Sequence, residues 1–259
     1  DPAEVNKIVR ADAPVLGNAK KSLRMLIDNV NPNSHEAWVN EFRACDKIEY
    51  EKVISKDIFP TKPGLTMGEV VRIASEKTNN DAILVTDVGQ QQMIASRYFK
   101  FNQSRSNVTS GGLGTMGYAL PAAMGAKIGQ PNRVVFAMAG DGGFQMTIQE
   151  LGTISQYELD LKIIVLNNNF LGMVRQWQQL FFEKRYSFTE LKNPDFVGIA
   201  KAYGLAAQKV TSREQLEGAI QEMLDHKGPY VLEVIVEKED NVFPMVPTGA
   251  SVSDILLEP

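Results

Sequence analysis

Short apolar runs alternate with amphipathic stretches along most of the chain. The runs at 82–86, 134–139, 163–166 and 230–236, with a shorter one at 208–210, are typical of buried strands. Helical patterns begin near 66 and 87 and extend over 111–125, 145–156, 171–185, 193–203 and 215–224. This alternation predicts an α/β fold, a doubly wound, mostly parallel sheet of about six strands with helices on both faces.

The ends of the chain differ from this regular middle. The first thirty residues contain a short helix, a strand end at Val15-Leu16 and a second helix, which is too little to bury a core. The next stretch is polar, although Trp38 and Phe42 share one helical face. Because the chain begins at Asp1 without an initiator Met, we expect it to be part of a longer protein. The predicted parts are the end of a preceding domain (1–30), a linker (31–63), the main domain (64–240) and a C-terminal tail (241–259).

Composition narrows the classes of function. The 259 residues carry a net charge of −4 and the basic residues are scattered, which argues against nucleic acid as the main partner. Cys45 is the single cysteine, so an internal disulfide is excluded and a reducing, cytoplasmic location is expected. No apolar run approaches the length of about 18 residues typical of a membrane span.

Two polar turns follow neighbouring apolar runs. Gly140-Asp141-Gly142-Gly143 ends the run at 134–139, and Asn167-Asn168-Asn169 ends the run at 163–166. Carboxylate and amide oxygens suit Mg²⁺, and the glycines would let a diphosphate approach the backbone. Either turn alone is a common loop sequence. Together, at the same edge of a parallel sheet, they predict a ligand site.

A second glycine motif offers a competing interpretation. The segment from Gly112 to Gly117 matches G-x-G-x-x-G, which suggests a dinucleotide-binding turn of a dehydrogenase. The stretch before it, 103–107, is too polar for the buried first strand that this motif requires. Asp141 is also flanked by glycines, which a ribose ligand does not need.

The Gly-Asp-Gly turn followed by Asn-Asn resembles the motif of thiamine-diphosphate enzymes. The resemblance implies that Asp141, Asn168 and the backbone carbonyl of Phe170 bind Mg²⁺. Further motifs resemble the acetolactate synthase family over nearly the whole chain, and Asp1 to Lys20 resembles the end of its FAD-binding middle domain. These motifs are Asp87-Val88-Gly89-Gln90, Ser110 to Gly117, Leu171-Gly172-Met173-Val174-Arg175-Gln176-Trp177, Asn193-Pro194-Asp195-Phe196 and Phe243 to Ala250.

The resemblance also implies the members of the site. Those expected to bind the cofactor are Gly89, Gln90, Gln91, Gly114, Met116, Gly140, Asp141, Gly142, Gly143, Asn168, Phe170, Leu171, Gly172 and Met173. Met173, Val174 and Trp177 are expected to line the pocket of the second substrate, with core packing as the alternative. The family usually has His where this chain has Gln91. The activating Glu of the family belongs to a separate pyrimidine-binding domain, and Glu150 does not replace it.

The implied activity is decarboxylation of pyruvate and transfer of its two-carbon unit to pyruvate or 2-oxobutyrate, in branched-chain amino acid synthesis. The implied cofactors are thiamine diphosphate, Mg²⁺ and FAD. The implied assembly is a homodimer or tetramer, with a possible small regulatory subunit, and the chain alone is expected to be inactive. Two alternatives are another FAD-containing relative, of the pyruvate oxidase or glyoxylate carboligase type, and a non-catalytic cofactor-binding module.

Overall fold

A six-stranded parallel sheet forms the centre of residues 47–259, the larger of two units into which the chain divides. The structure, a computed structural model, describes residues 1–259. The strands are Ile83–Thr86 (β1), Asn107–Thr109 (β2), Val135–Gly140 (β3), Lys162–Asn167 (β4), Ala206–Val210 (β5) and Tyr230–Ile235 (β6). Their order is β2-β1-β3-β4-β6-β5, and every neighbouring pair is parallel. The predicted fold class is confirmed.

Helices connect successive strands and cover both faces of the sheet. In chain order the α-helices of the whole chain, including those that precede β1, are Ala19–Asn29 (α1), Glu36–Glu49 (α2), Ser55–Ile58 (α3), Met67–Lys77 (α4), Gln90–Tyr98 (α5), Ala119–Gly129 (α6), Asp141–Met146 (α7), Glu150–Gln156 (α8), Gly172–Phe181 (α9), Phe196–Ala202 (α10) and Arg213–Asp225 (α11). None of them combines the length and the apolar composition that a membrane crossing requires.

Two apolar cores, one on each face, hold the sheet. On one face α4, α5 and α11 pack against alternate strand residues such as Phe136 and Ile164. On the other face α6, α7, α8 and α10 pack against the intervening residues, such as Ala137 and Ile163. Because β3 and β4 are buried on both faces, they read as continuous apolar runs rather than as alternating patterns.

Several predicted elements need correction. The polar loop before the second glycine motif contains the edge strand β2, whose partly exposed residues explain its polar sequence. The helix predicted over 111–125 begins only at Ala119, because residues 110–118 form a loop. The helix predicted from Gln145 begins at Asp141, directly after β3, and is interrupted before α8.

The first 46 residues form the smaller unit, and none of them is buried. Val15-Leu16 is exposed and forms no strand, so that prediction was wrong. Most of the predicted linker is helical, since α2 continues through a wider turn at Tyr50–Ile54 into α3. Trp38 and Phe42 do share a face of α2, with ring centroids 5.0 Å apart. The domain boundaries inferred from the sequence stay predictions.

Candidate functional site

The two polar turns meet at the carboxyl ends of the two central strands. Gly140, the last residue of β3, pairs with Leu166 of β4, so both strands end at the same level. Asp141 begins α7 directly after β3, and Asn168 directly follows β4. The expectation that these turns lie together at one sheet edge is confirmed by this register.

One cavity of about 320 Å³ opens between these turns. Its other walls are the turn after β1 and the loop after β2. Every residue predicted from the family resemblance to bind the cofactor lines this cavity: Gly89, Gln90, Gln91, Gly114, Met116, Gly140, Asp141, Gly142, Gly143, Asn168, Phe170, Leu171, Gly172 and Met173. Residues from four separate chain segments therefore converge on one space.

Asp141 is the buried carboxylate of the cavity, with 1% of its surface exposed. Its Oδ2 accepts a hydrogen bond of 2.7 Å from Asn193 Nδ2, and its Oδ1 accepts one of 3.0 Å from Gly142 N. Burial raises the pKa of Asp141 to about 6, although both hydrogen bonds oppose that rise. A cation bound beside the carboxylate would favour its charged form.

Asn168 is held by a tight turn of its own. Its Oδ1 accepts a hydrogen bond of 3.1 Å from Phe170 N, and its Nδ2 donates one of 3.3 Å to Gln90 Oε1. Asn169, between Asn168 and Phe170, has a backbone φ of 56°, a left-handed conformation that Asn tolerates well. The turn redirects the chain from β4 into α9, so that Asn168 and Phe170 both line the cavity.

Glycines bring the loops around the cavity close together. A Cβ on Gly143 would collide with the carboxylate of Asp87, and one on Gly142 would meet Leu171 Cδ2 at 2.8 Å. A Cβ on Gly172 would collide with the side chain of Gln90. Gly142 and Gly143 were expected to face a diphosphate, and the packing shows that Gly143 also makes room for Asp87.

Asp87 ties the loop after β2 to the end of β1. Its Oδ1 accepts from Gly117 N at 3.0 Å, and its Oδ2 accepts from Ala119 N at 2.9 Å. These bonds hold the loop that carries Gly114 and Met116 against the cavity. The sequence motif contained Asp87 but gave it no role, because its partners lie about thirty residues further along the chain.

The predicted second-substrate residues lie on α9. Met173 and Val174 line the cavity, whereas Trp177 lies one turn further along the helix and is 37% exposed. The ring of Trp177 packs against Phe181, with centroids 5.1 Å apart. Core packing, the alternative considered for these residues, does not describe Val174 and Trp177, which are both exposed.

The donors in the cavity are those of a hard cation. They are the carboxylate of Asp141, the amide oxygen of Asn168 and backbone carbonyls, and the sulfur in the lining belongs to methionine thioethers, which a hard cation does not prefer. No group of three or more His, Cys, Asp or Glu side chains in residues 1–259 is arranged so that it could hold a metal ion by itself. The arrangement thus suits a metal that takes most of its ligands from a bound phosphate group and water.

Comparison with protein families identifies the domain. The family described as "Thiamine pyrophosphate enzyme, C-terminal TPP binding domain" matches residues 87–234. The chain belongs to this thiamine pyrophosphate enzyme family. The matched segment includes the glycines between Gly112 and Gly117, so they belong to a thiamine pyrophosphate domain and not to a dinucleotide-binding turn. Of the two sequence arguments against that alternative, the polar stretch before the motif was the weaker, because strand β2 begins at its last residue, Asn107.

Individual thiamine pyrophosphate enzymes are similar over nearly the whole chain. The large subunit of acetolactate synthase isozyme 2 of Escherichia coli is 40% identical over 257 residues, which cover 99% of this chain and 45% of that protein. The acetolactate synthase large subunit of Corynebacterium glutamicum is 41% identical over 268 residues, which cover 98% of this chain and 42% of that protein. The mitochondrial acetolactate synthase catalytic subunit of Aspergillus candidus is 38% identical over 263 residues, which cover 99% of this chain and 38% of that protein. The chain therefore spans a little under half the length of these relatives.

Proposed function

We propose that this chain forms the diphosphate- and metal-binding part of an acetolactate synthase. The observation that carries the proposal is the cavity in which Asp141 and Asn168 meet the turn after β1 and the glycine-rich loop after β2. The similarity to acetolactate synthase large subunits over 98–99% of the chain supports the assignment of this activity.

Asp141, Asn168 and the backbone carbonyl of Phe170 would hold Mg²⁺. The hydrogen-bond partners of the buried Asp141 carboxylate, Gly142 N and Asn193 Nδ2, are neutral, so a divalent cation would supply the missing positive charge. A diphosphate would complete the ligands of the metal, because Mg²⁺ usually keeps phosphate and water oxygens. Gln91, where the family usually has His, lines the same cavity and would donate a neutral hydrogen bond to a phosphate oxygen.

Thiamine diphosphate, when bound, supplies the electron sink for decarboxylation of a 2-oxo acid. The residues of this chain bind and orient it. Met116 and Gly114 both line the cavity, where Met116 would be an apolar support for the ring system of the cofactor and Gly114 would let the backbone come close. Met173 and Val174 would limit the space available to the second 2-oxo acid.

The whole enzyme would act on pyruvate, with pyruvate or 2-oxobutyrate as acceptor. The expected glutamate that activates thiamine would come from a pyrimidine-binding domain, across a homodimer or tetramer interface. FAD would occupy a middle domain, and a small regulatory subunit would assemble with the large one, as the term "large subunit" in the names of the relatives suggests. Pyruvate oxidase and glyoxylate carboligase types, and a non-catalytic module, are not favoured, because the relatives compared are acetolactate synthases.

Product analysis tests the proposal. The full-length protein is incubated with pyruvate, thiamine diphosphate, Mg²⁺ and FAD, and 2-acetolactate is expected as the main product. Acetate in place of acetolactate would assign an oxidase. Cofactor binding without turnover would assign a non-catalytic module.

A further inference from the structure

We propose that Asn193, Asn167 and Glu233 are positioning residues that hold the carboxylate of Asp141 in the orientation a metal ion requires. Together with Asp141 they form one chain of side-chain hydrogen bonds that ends at Glu233 on β6, which forms an ion pair with Lys209 on the edge strand β5. The inference rests on the proposed metal site. It assigns a role to the Asn193-Pro194-Asp195-Phe196 motif, which the sequence analysis left without one.

Asn193 is the immediate partner of Asp141. Its Nδ2 lies 2.7 Å from Asp141 Oδ2, 2.9 Å from Asn167 Oδ1 and 3.2 Å from Asn169 Oδ1. Its Oδ1 accepts a hydrogen bond of 2.8 Å from Gln145 Nε2. Because both ends of the amide are engaged, the group has one favourable orientation, with its amino group toward the carboxylate.

Asn167 fixes Asn193 from the end of β4. Its Oδ1 accepts from Asn193 Nδ2 and also, at 3.0 Å, from Asn169 N. Its Nδ2 donates to Glu233 Oε1 at 2.7 Å. An ionised carboxylate has no hydrogen to donate, so Glu233 acts as an acceptor only. It therefore sets the orientation of the Asn167 amide, whose amino group must face it.

Glu233 lies in the middle of β6, between β4 and β5, and is 1% exposed. A carboxylate buried inside a sheet is costly unless it is paired. Lys209, its neighbour in register on β5, supplies the pair, with Nζ 2.9 Å from Glu233 Oε2. The lysine side chain is 41% exposed, so the positive charge reaches the buried acid from the sheet edge.

The chain thus links an ion pair at the sheet edge to the proposed metal ligand through neutral amides. Hydrogen bonds in such a buried network support one another, and partners of metal ligands are known to tune metal affinity. Each link uses a donor facing an acceptor, so removal of one link frees the next group to rotate. Asp141 would then lose its fixed orientation without losing its charge.

The experiment measures binding of Mn²⁺, as a paramagnetic substitute for Mg²⁺, to the full-length protein in the presence of thiamine diphosphate. The variants are Asn193→Ala, Glu233→Ala and Glu233→Gln. We expect Asn193→Ala to raise the Kd for Mn²⁺ by about 10- to 100-fold, the range found for partners of metal ligands. Glu233→Ala should raise it less, since it acts through two amides. Glu233→Gln should restore affinity toward the wild-type value, because its amide oxygen still accepts from Asn167.

Ser75→Ala is the matched control. Ser75 is buried and makes polar side-chain contacts with Asn80 and Lys100 N, and none of these three residues lines the cavity. We expect this variant to lower the melting temperature while the Kd for Mn²⁺ stays unchanged. An equal loss of Mn²⁺ affinity in Ser75→Ala and Asn193→Ala would show that general destabilisation is responsible, which would overturn the inference.

The outcomes separate this inference from the proposed function. A wild-type protein that binds no Mn²⁺ overturns the metal site and the inference with it. Tight binding by the wild type together with unchanged affinity in a folded Asn193→Ala overturns the inference alone. Should Asn193→Ala not fold, Asn193→Ser keeps a polar group too short to reach Asp141, and an unchanged Kd in that variant is equally decisive.

Discussion

The two ends of the central strands β3 and β4 differ in whether a buried charged side chain has a counter-ion within the protein. At the amino end Lys162 is buried, and its Nζ donates to the carbonyl oxygens of His226 at 2.6 Å and Gly228 at 3.0 Å. Asp160 Oδ1, at 2.6 Å, supplies the negative charge. At the carboxyl end Asp141 is equally buried, but its partners Asn193 and Gly142 are neutral.

The difference distinguishes a structural charge from a functional one. The lysine at the amino end has both its hydrogen bonds and its counter-ion within the protein, so nothing further is required there. The carboxylate at the carboxyl end has hydrogen bonds but no counter-ion, and burial raises its pKa to about 6. A buried charge that the protein orients and leaves without a counter-ion is the feature expected of a metal ligand.

The largest effect that would test this comparison is loss of cofactor binding in Asp141→Ala. Removing the carboxylate removes a charged ligand of Mg²⁺. Without the metal, the negative charge of the diphosphate is poorly compensated. We expect no measurable Mg²⁺-dependent binding of thiamine diphosphate to the full-length variant. Binding is measured by the quenching of protein fluorescence. Unchanged affinity would remove Asp141 from the site, and a melting curve checks that the variant is folded.

The sequence predicted the meeting of the two turns because both follow apolar runs typical of buried strands, and a helical stretch between the runs makes a parallel pair. It did not predict what holds Asp141, because Asn193 and Glu233 lie 52 and 92 positions further along the chain and no local pattern connects them. Glu233 even interrupts an apolar run, which is the one signal that could have marked it. The edge strand β2 was missed since its polar residues face partly outward.

The pH dependence of stability gives the second test. The pKa of Asp141 rises from an ordinary value of 3.8 to about 6 in the folded protein, so between these values the folded, metal-free state binds more protons than the unfolded state. Its contribution to stability therefore falls as pH rises from about 4 to about 6, by roughly 3 kcal/mol at 1.36 kcal/mol per pKa unit. This loss should be absent in Asp141→Asn.

Urea unfolding of both proteins with a chelator present, at pH values from 4 to 7, measures this difference. The other carboxylates titrate equally in both and cancel when the two curves are subtracted. The stability of Asp141→Asn relative to wild type should improve as pH rises through the range, and then level off above it. A constant difference at all pH values would contradict the raised pKa.

At the amino end, Lys162→Met should show the reverse pattern. The variant leaves two buried carbonyl oxygens without their donor, and an unsatisfied buried group costs about 1–3 kcal/mol. We expect a lower free energy of unfolding and an unchanged affinity for thiamine diphosphate with Mg²⁺, measured on the same preparation. Weaker cofactor binding in a folded Lys162→Met would show that the two strand ends are coupled, and the contrast between them would fail.

Trp177 tests how far the functional region extends beyond the cavity wall, and its expected effect is the smallest. Its helix begins at the turn that carries Asn168, yet the indole is 37% exposed and packs on Phe181. Contact with the extra methylene of 2-oxobutyrate would be worth about 1–3 kcal/mol in a closed apolar pocket. Because this position is open, we expect Trp177→Leu to reduce the preference for 2-oxobutyrate over pyruvate by about tenfold, the lower end of that range.

Competition between the two acceptors, with a melting curve of the same variant, separates this role from core packing. A tryptophan in the core would cost about 3–5 kcal/mol on truncation to alanine, and both products would decline together. The exposure of Trp177 argues for a much smaller loss of stability, with acetolactate formation from pyruvate largely kept, since Asp141 and Asn168 lie in the turns after β3 and β4. An unchanged product ratio in the well-folded variant would confine the functional region to the residues that line the cavity.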